Sequence, residues 1–222
     1  MKNKKPVLIS DFDGTITRKD FFHMVSDTLL PVNSLKPWHD YMAGRITHLA
    51  ALDGIFAQIR ITRARMDKFI ASIPVDRAFY NTLAVCKRLK IPVYICSAGS
   101  DYYINKRIGG YVKKYNIGVL ANSGEYSPQT GLHFTAPPKM SPFYNADFGI
   151  SKEALVNMLS KQGYFTIYAG DGKPDIDAAK RADVVFARDM LAKLCKLGKV
   201  PFFKLNTFKD ITDYLRGNYG AE

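Results

Sequence analysis

The chain has 222 residues and a mass of 25.0 kDa, with 47% apolar and 23% charged residues. Aromatic residues make up 13%, which argues against intrinsic disorder because such a chain has ample apolar surface to bury. No stretch approaches the ~20 consecutive apolar residues that a membrane span needs. The net charge of +12 indicates an anionic partner. Nucleic acid is one candidate, although the basic residues are dispersed and not gathered in a tail, and a small phosphorylated metabolite would be served equally well, so charge alone does not decide between them.

The cysteines Cys86, Cys96 and Cys195 are widely spaced and form no CxxC pair. This spacing fits neither a disulfide framework nor a zinc site, and it is typical of a reducing compartment. Residues 1–5 are basic, but the apolar run that follows them is shorter than the ~7–15 residues of a signal-peptide core. We therefore expect a cytoplasmic protein with no membrane partner.

Short β-branched or aromatic runs alternate with helical patterns along most of the chain. The predicted strands are 7–9, 91–95, 117–120, 165–168, 184–186 and 201–204. The predicted helices are 79–89, 102–115, 152–161, 176–181, 190–197 and 208–215. Most of the strands are continuous apolar runs, as in strands that are buried on both faces of a parallel sheet. The alternation predicts an α/β fold with a doubly wound, mainly parallel sheet.

Two regions interrupt this alternation. Residues 18–76 contain amphipathic helical stretches and no convincing strand, so we interpret them as a helical insertion into a core formed by 1–17 and 77–222. Residues 121–150 contain two turn-forming segments, 122–125 and 128–131, and then the prolines 137, 138 and 142, which predict a hairpin followed by an irregular excursion.

The strongest chemical signal is Asp11-Phe-Asp-Gly-Thr15, directly after the first predicted strand. Asp11 and Asp13 place two carboxylates at the carboxyl end of a buried strand, where they are costly without a compensating charge. In a parallel sheet, ligands bind at these strand ends. An Asx turn that happens to contain two aspartates is the alternative interpretation.

A second acidic motif, Gly170-Asp-Gly-Lys-Pro-Asp175, follows the predicted strand 165–168. Helix capping explains an acid at the start of the next helix, but it does not explain Asp171, which precedes the turn. The two motifs together provide several oxygen ligands, and the four histidines show no HxH or HxxxH spacing. Such a set favours Mg²⁺ over zinc or copper.

Asp11-Phe-Asp-Gly-Thr15 resembles the first motif of the haloacid-dehalogenase (HAD) superfamily of phosphohydrolases. Ser97 after the second predicted strand, Lys152 at a helix start, and the pair Asp171 and Asp175 follow in the order that this superfamily uses. The resemblance covers nearly the whole chain. It implies a Rossmann-like HAD core in which the insertion 18–76 is a helical cap.

The resemblance implies a Mg²⁺-dependent phosphatase that forms an aspartyl-phosphate. Asp11 would be the nucleophile and Asp13 the general acid and base. The metal would be held by Asp11, the main-chain carbonyl of Asp13 and Asp171, with Asp175 supporting it directly or through a neighbouring ligand.

Ser97, Ala98 and Lys152 would bind the oxygens of the transferring phosphoryl group. Taken alone, Ser97 is equally well explained as a buried hydroxyl and Lys152 as an exposed residue in a first helical turn. Their order and spacing relative to the two acidic motifs favour the functional interpretation.

Within the superfamily, the sequence is most similar to the phosphoserine-phosphatase-like branch. In that branch it resembles the methionine-salvage phosphatases of 2-hydroxy-3-keto-5-methylthiopentenyl-1-phosphate, through Asp20 and through the run from Asp175 to Asp189. It lacks the cysteine-rich stretch that these enzymes have before the lysine, so the substrate stays open.

Three alternatives follow from these observations: a phosphoserine-type phosphatase, a phosphotransferase that uses an alcohol instead of water, and a basic nucleic-acid-binding protein on a degenerate HAD scaffold. Substrate specificity is expected to lie in the insertion. Its polar and aromatic candidates are Arg18, Asp20, Phe21, Phe22, Trp38, Arg45 and Arg60.

Overall fold

The computed structural model describes residues 4–31 and 34–220. Residues 1–3, 32–33 and 221–222, which belong to the predicted core and insertion, lie outside the described residues.

The strands are β1 (Pro6–Ser10), β2 (Val93–Ser100), β3 (Gly118–Ser127), β4 (Gly131–Thr135), β5 (Tyr144–Asn145), β6 (Gly149–Ile150), β7 (Phe165–Gly170), β8 (Val184–Ala187) and β9 (Phe203–Lys204). The helices are α1 (Phe21–Thr28), α2 (Lys36–Met42), α3 (His48–Phe56), α4 (Arg63–Ala71), α5 (Arg77–Arg88), α6 (Asp101–Tyr115), α7 (Lys152–Lys161), α8 (Ile176–Arg181), α9 (Asp189–Leu197) and α10 (Phe208–Tyr219). Within the described ranges, no helix is both long and apolar enough to cross a lipid bilayer.

Seven strands form one sheet in the order β4-β3-β2-β1-β7-β8-β9, so β1 lies at its centre. All neighbours are parallel except β3 and β4, which form an antiparallel hairpin. β5 and β6 pair separately as a short ribbon. The predicted α/β fold with a mainly parallel sheet and a helical insertion is confirmed.

The sheet is buried on both faces. Leu8 of β1 packs in one apolar cluster with α5, α6 and α10, while Val7 and Ile9 pack in a second cluster with α7, α8 and α9. This alternation is expected of a central strand, because successive side chains point to opposite faces. The buried residues of α1, α3 and α4 are continuous with the first cluster, so the insertion shares the apolar core of the sheet.

The strand lengths depart from the prediction in two places. β3 has ten residues because it extends beyond its parallel pairing with β2 into the hairpin with β4. β9 has only two residues, both exposed, at the edge of the sheet. Pro201 cannot donate a hydrogen bond to the neighbouring strand, so the pairing begins after it.

The insertion is connected to the sheet by two adjacent segments. Thr17 pairs antiparallel with Val75, and the main-chain N–H of Asp76 donates to the Ile16 carbonyl at 2.9 Å. The Arg18 guanidinium lies 3.3 Å from the Asp76 carboxylate. The chain therefore leaves and re-enters the sheet region at one place, immediately beyond the first acidic motif.

Candidate active site

The seven predicted site residues converge at the carboxyl ends of β1, β2 and β7. A cavity of about 490 Å³ lies there between the sheet and the insertion. Six of the predicted residues line it: Asp11, Asp13, Ser97, Ala98, Lys152 and Asp171. Asp175 is fully buried and contacts this group through the hydrogen bonds described below.

A buried lysine bridges two of the aspartates. Lys152 Nζ lies 2.8 Å from Asp11 Oδ1 and 2.6 Å from Asp175 Oδ1. Lys152 is the first residue of α7, whose start is fixed by the Ser151 hydroxyl accepting from the Ala154 N–H. Burial lowers the pKa of Lys152, but Asp11 and Asp175 together raise it above its ordinary value. The lysine is therefore charged and offsets part of the negative charge of the site.

Asp13 is held by donors from two other elements. Its Oδ1 accepts from the Phe21 N–H at 3.0 Å, and its Oδ2 accepts from the Tyr103 hydroxyl at 2.5 Å. Burial raises the pKa of Asp13 well above its ordinary value, Asp20 adds to this, and the Tyr103 hydrogen bond opposes it. A raised pKa favours the protonated carboxyl, the state that a general acid needs.

Asp175 organises the loop after β7. Its Oδ2 accepts from the main-chain N–H groups of Asp171 and Gly172 at 3.0 and 2.8 Å. Its Oδ1 accepts from the Tyr168 hydroxyl at 2.6 Å as well as from Lys152. With two donors on each oxygen, Asp175 fixes the position of the Asp171 carboxylate.

Three carboxylates form a group of the size that a metal ion requires. Asp11, Asp171 and Asp175 each offer an oxygen, and these oxygens lie within 4.8 Å of one another. Burial, with a contribution from Asp175, raises the pKa of Asp171 to about 7. Burial also raises the pKa of Asp11, although Lys152 opposes it. Closely spaced oxygen donors with uncompensated negative charge fit a hard divalent cation such as Mg²⁺.

The carboxyl end of β2 approaches Asp13 closely because it lacks bulky side chains. Ser97 is buried, and its Oγ accepts from the Gly99 N–H at 3.0 Å. A Cβ on Gly99 would collide with the Tyr103 hydroxyl and lie 2.8 Å from Asp13 Oδ2. Only glycine therefore permits this approach, which leaves room beside Ser97 and Ala98 for a small anion.

No protein-family model matches the chain. Three bacterial proteins named 2-hydroxy-3-keto-5-methylthiopentenyl-1-phosphate phosphatase are similar over nearly its whole length. The one from Geobacillus thermodenitrificans is 27% identical over 96% of each chain, and the one from Geobacillus kaustophilus is 28% identical over the same shares. The one from Lysinibacillus sphaericus is 28% identical over 93% of this chain and 92% of its own.

Solved structures share the fold. A phospho-aspartyl intermediate analogue of phosphoserine phosphatase has a TM-score of 0.68 at 18% identity, covering 96% of this chain and 99% of that one. An HAD family hydrolase from Salmonella enterica serovar Typhi has a TM-score of 0.70 at 15% identity, covering 100% and 74%. The chain therefore shares the fold of these solved structures and is similar in sequence, over nearly its whole length, to the named bacterial phosphatases.

The insertion covers the acids with a mostly aromatic wall. Phe22 and Trp38 stack with ring centroids 4.6 Å apart, and the His48 ring lies edge-on to Trp38 at 5.9 Å. Burial lowers the pKa of His48 to about 4, so the imidazole is neutral at neutral pH. The insertion residues that form this apolar part of the cavity are Phe22, Trp38, Tyr41, Met42, His48, Leu52 and Phe56.

The seven specificity candidates that the sequence offers divide into three groups. Asp20, Phe22 and Trp38 line the cavity. Phe21 is instead fully buried and stacks on Tyr103 with ring centroids 4.2 Å apart. The three arginines bind other groups in the insertion or at its connections and are not among the described cavity-lining residues: Arg18, Arg45 and Arg60.

Three hydroxyl groups that fix the acids of the site were not predicted. Thr15 donates to Asp171 Oδ1 at 2.6 Å, and Tyr168 and Tyr103 donate as described above. Thr15 and Tyr168 lie within or next to the acidic motifs, so a search for donors flanking the acids would have found them. Tyr103 comes from α6, 90 residues after Asp13, and no spacing in the sequence links the two.

Proposed function

We propose that this phosphatase is a Mg²⁺-dependent phosphomonoester hydrolase that acts on a small cytosolic phosphometabolite through an aspartyl-phosphate intermediate. The observation that carries the proposal is the division of roles between Asp11 and Asp13 at one strand end. Within the described residues, two donors contact the Asp11 carboxylate, and both bind Oδ1: the Phe12 N–H at 2.7 Å and Lys152 Nζ. Oδ2 is therefore the oxygen that attacks.

In the first step, a bond forms between Asp11 Oδ2 and phosphorus while the bond between phosphorus and the ester oxygen breaks. The raised pKa of Asp13 keeps its proton available for the departing oxygen. Lys152 and the Ser97 hydroxyl bind the phosphoryl oxygens, because an ammonium and a hydroxyl stabilise the charge that they carry.

In the second step, Asp13 is ionised and takes a proton from water. The water oxygen bonds to phosphorus, and the bond between phosphorus and Asp11 Oδ2 breaks. Orthophosphate leaves, and Asp11 returns as a carboxylate while Asp13 is again protonated. The fixed position of Asp13 between Phe21 and Tyr103 suits both transfers, since one carboxyl acts at the same place in each step.

We assign the Mg²⁺ ligands to Asp11, Asp171 and the main-chain carbonyl of Asp13. An Mg²⁺ ion held by these residues would compensate the repulsion between the Asp11 carboxylate and the phosphate. Asp175 acts indirectly, because it is fully buried and is not among the described residues that line the cavity, whereas Asp11 and Asp171 are. Its contribution is to position Asp171 and to share Lys152 with Asp11.

The insertion 18–76 acts as a cap over the core 1–17 and 77–222. Tyr41 of the insertion lies at the cavity against Lys173 of the loop after β7, with Nζ 3.3 Å from the hydroxyl. Closure of the cap over the bound phosphate excludes water during the first step. The Asp11 carboxylate, and not a water molecule, then attacks phosphorus.

The aromatic wall favours a substrate whose alcohol part is largely apolar or unsaturated. The compound in the names of the bacterial relatives has a methylthio tail and a conjugated carbonyl, which suit Phe22, Trp38 and the unpartnered Nδ1 of His48. Phosphoserine would place an ammonium and a carboxylate against this wall. We therefore propose the methylthiopentenyl compound as the first substrate to test.

Phosphate release from a panel of phosphometabolites tests the reaction, with Mg²⁺ and with EDTA. We expect release only with Mg²⁺, free phosphate as the only product when an alcohol acceptor is added, and no turnover by Asp11→Asn. Asp27→Asn, an exposed position on α1, is the control with the same charge change. Substantial turnover by Asp11→Asn would overturn the assigned nucleophile.

Trp38→Ala tests the substrate class. Trp38 is half-buried, and an apolar substrate would cover more of its indole. Losing that contact costs about 1.5–3 kcal/mol of binding, so we expect kcat/KM for the methylthiopentenyl compound to fall by about tenfold or more. Phosphoserine hydrolysis should change by less than about threefold, because its polar groups gain little from the indole. Tyr111→Ala, an exposed aromatic on α6, is the control. An equal loss for both substrates would contradict the apolar specificity.

A further inference from the structure

A buried amide lies between the two segments that carry the phosphate-binding side chains. Asn122 of β3 is fully buried, and its Nδ2 donates to the Ala98 carbonyl at 2.8 Å and to the Phe148 carbonyl at 3.1 Å. Ala98 lies near the end of β2, whereas Phe148 belongs to the ribbon of β5 and β6, which is separate from the seven-stranded sheet. Carbonyl oxygens can only accept, so the nitrogen of the amide faces both of them. One side chain therefore connects the end of β2 to the ribbon.

On the β2 side, this connection orients the Ser97 hydroxyl. The Ala98 carbonyl and the Gly99 N–H belong to one planar peptide group, so holding the carbonyl also fixes the direction of the N–H. That N–H donates to Ser97 Oγ at 3.0 Å. Within the described part of the chain, the Ser97 hydroxyl donates to no other group, so its hydrogen is free for a phosphoryl oxygen.

On the ribbon side, the same amide holds the strand that leads to Lys152. Phe148 is followed by β6, then by Ser151, which caps α7, and then by Lys152. Gly149 has a φ of +78°, and a Cβ there would collide with Asn122 Oδ1. Only glycine therefore lets the ribbon approach the amide this closely. The strand before Lys152 is thus fixed against the end of β2 through Asn122.

We propose that Asn122 is a positioning residue that holds Ser97 and Lys152 in register, so that both bind one phosphoryl group. Its Oδ1 is buried without a partner among the described residues, so the amide is placed for the two carbonyls and not for its own acceptor. Asn122 acts through these groups and does not touch the phosphate, since the described residues that line the cavity do not include it. The proposal rests on the proposed function, in which the Ser97 hydroxyl and the Lys152 ammonium bind the transferring group.

Calorimetric titration with orthophosphate in the presence of Mg²⁺ measures this role without turnover. Asn122→Ala removes both hydrogen bonds, and a displacement of about 1 Å between groups that act together can cost about a hundredfold in rate. We expect orthophosphate to bind about fivefold or more weakly, and kcat for a phosphomonoester to fall by about tenfold or more. Gly149→Ala disturbs the same amide from the ribbon side and should also weaken orthophosphate binding. The rise in Tm on adding Mg²⁺ should persist in both variants, because Asp11 and Asp171 follow other strands, β1 and β7.

Thr82→Val is the matched control for a buried polar group with a structural role alone. The Thr82 hydroxyl is fully buried between α5 and α10, 3.0 Å from the Ala78 carbonyl and 3.1 Å from the Phe208 carbonyl. Its removal should lower Tm, since two buried carbonyls lose a donor. Orthophosphate binding and kcat should stay within about twofold of wild type, because distant sites act independently.

A lower Tm with unchanged orthophosphate binding in Asn122→Ala would overturn the proposal, since the amide would then act on stability alone. If Asn122→Ala does not fold, Gly149→Ala decides: unchanged binding overturns the proposal, and weaker binding supports it. A wild-type chain that binds no orthophosphate with Mg²⁺ would also overturn it. Failure of the hydrolytic function is distinct, because the wild type would then bind orthophosphate but release none from any phosphomonoester.

Discussion

The Tyr103 hydroxyl helps to hold Asp13 in place and opposes the rise in the pKa of Asp13 that burial causes. Tyr103→Phe removes this donor but keeps the ring that stacks on Phe21. A hydrogen bond to a charged group contributes about 1.5–3 kcal/mol, so we expect kcat to fall by about tenfold or more, with KM little changed. The Tyr103 bond lowers the pKa of Asp13, so its loss raises that pKa and moves the corresponding limb of the pH–rate profile to higher pH.

Tyr102→Phe is the control for this prediction. Tyr102 is the neighbouring residue on α6 and is half-buried. Among the described residues, the donors to the Asp13 carboxylate are Phe21 and Tyr103 and not Tyr102. It should leave both kcat and the pH profile unchanged. If Tyr103→Phe lowers kcat without moving the pH profile, the hydroxyl acts only on local structure and its role through Asp13 is wrong.

The acids of the site can be predicted from the sequence, because the free-energy cost of placing a carboxylate at the end of a buried strand depends on the local sequence alone. Asp11 and Asp13 follow a buried strand directly, and a carboxylate there needs a compensating charge whatever the rest of the chain does. Lys152 was identified from motif order, and the structure brings it to both Asp11 and Asp175. Tyr103 could not be found in this way, since an aromatic residue in the first turn of a helix carries no chemical signature of its own.

The hairpin of β3 and β4 holds the insertion against the sheet. Asp53 Oδ1 of α3 accepts from the Phe134 N–H at 2.8 Å, and the Tyr126 hydroxyl donates to the Ile61 carbonyl at 2.5 Å. The rings of Phe56 and Phe134 lie 5.3 Å apart. The hairpin is therefore one of the places, besides the two connections, at which the insertion is bonded to the core. Opening the cavity must either break these bonds or move the hairpin with the insertion.

Asp53→Ala should loosen this tie. It leaves the Phe134 N–H without its acceptor, at a cost of about 1–3 kcal/mol to the closed arrangement. We expect amide hydrogen exchange in α3 and β4 to accelerate by about tenfold, while exchange in β1 and β7 stays unchanged. Asp27→Ala, the exposed position on α1, should show no acceleration. Uniform acceleration across the sheet would instead indicate global destabilisation and contradict a local tie.

At the level of elements, apolar runs predicted the parallel strands because burial on both faces leaves a continuous pattern. Helix α7 and helix α8 have the predicted bounds, 152–161 and 176–181. The docking of the insertion could not be predicted, because Asp53 and Phe134 are 81 residues apart and neither is unusual in its local sequence. The aromatic wall was likewise only partly anticipated, since core and cavity-lining aromatics look alike in a sequence.

Over the whole molecule, the net positive charge and the acids of the cavity lie in different places. The chain carries +12, yet its catalytic cavity collects four aspartates. A positive surface attracts a phosphorylated substrate and raises its rate of encounter, but the cavity itself repels that substrate until a cation is bound. The same arrangement makes stability depend on both metal and pH.

Asp171 determines the direction of that dependence. Its pKa is raised to about 7 in the folded state against 3.8 as the ordinary value, so between these values the folded state holds a proton that the unfolded state lacks. Without metal, ionising Asp171 as pH rises therefore destabilises the fold. Mg²⁺ requires the ionised carboxylate, so its stabilising effect should grow as pH rises from about 5 to about 8.

Thermal unfolding with Mg²⁺ and with EDTA measures this effect. At a free Mg²⁺ concentration about 100 times its Kd, linkage gives about 2.7 kcal/mol, which corresponds to a rise in Tm of roughly 5–10 °C for a chain of this size. The rise should be largest near pH 8 and small near pH 5. Asp171→Asn should lose most of it, whereas Asp177→Asn, an exposed acid in the first turn of α8 with the same charge change, should keep it. A Mg²⁺-induced rise in Tm that does not depend on pH, or that is equal in the two variants, would place the cation away from Asp171. Mg²⁺ binding depends on pH in this direction only when a ligand must first lose its proton.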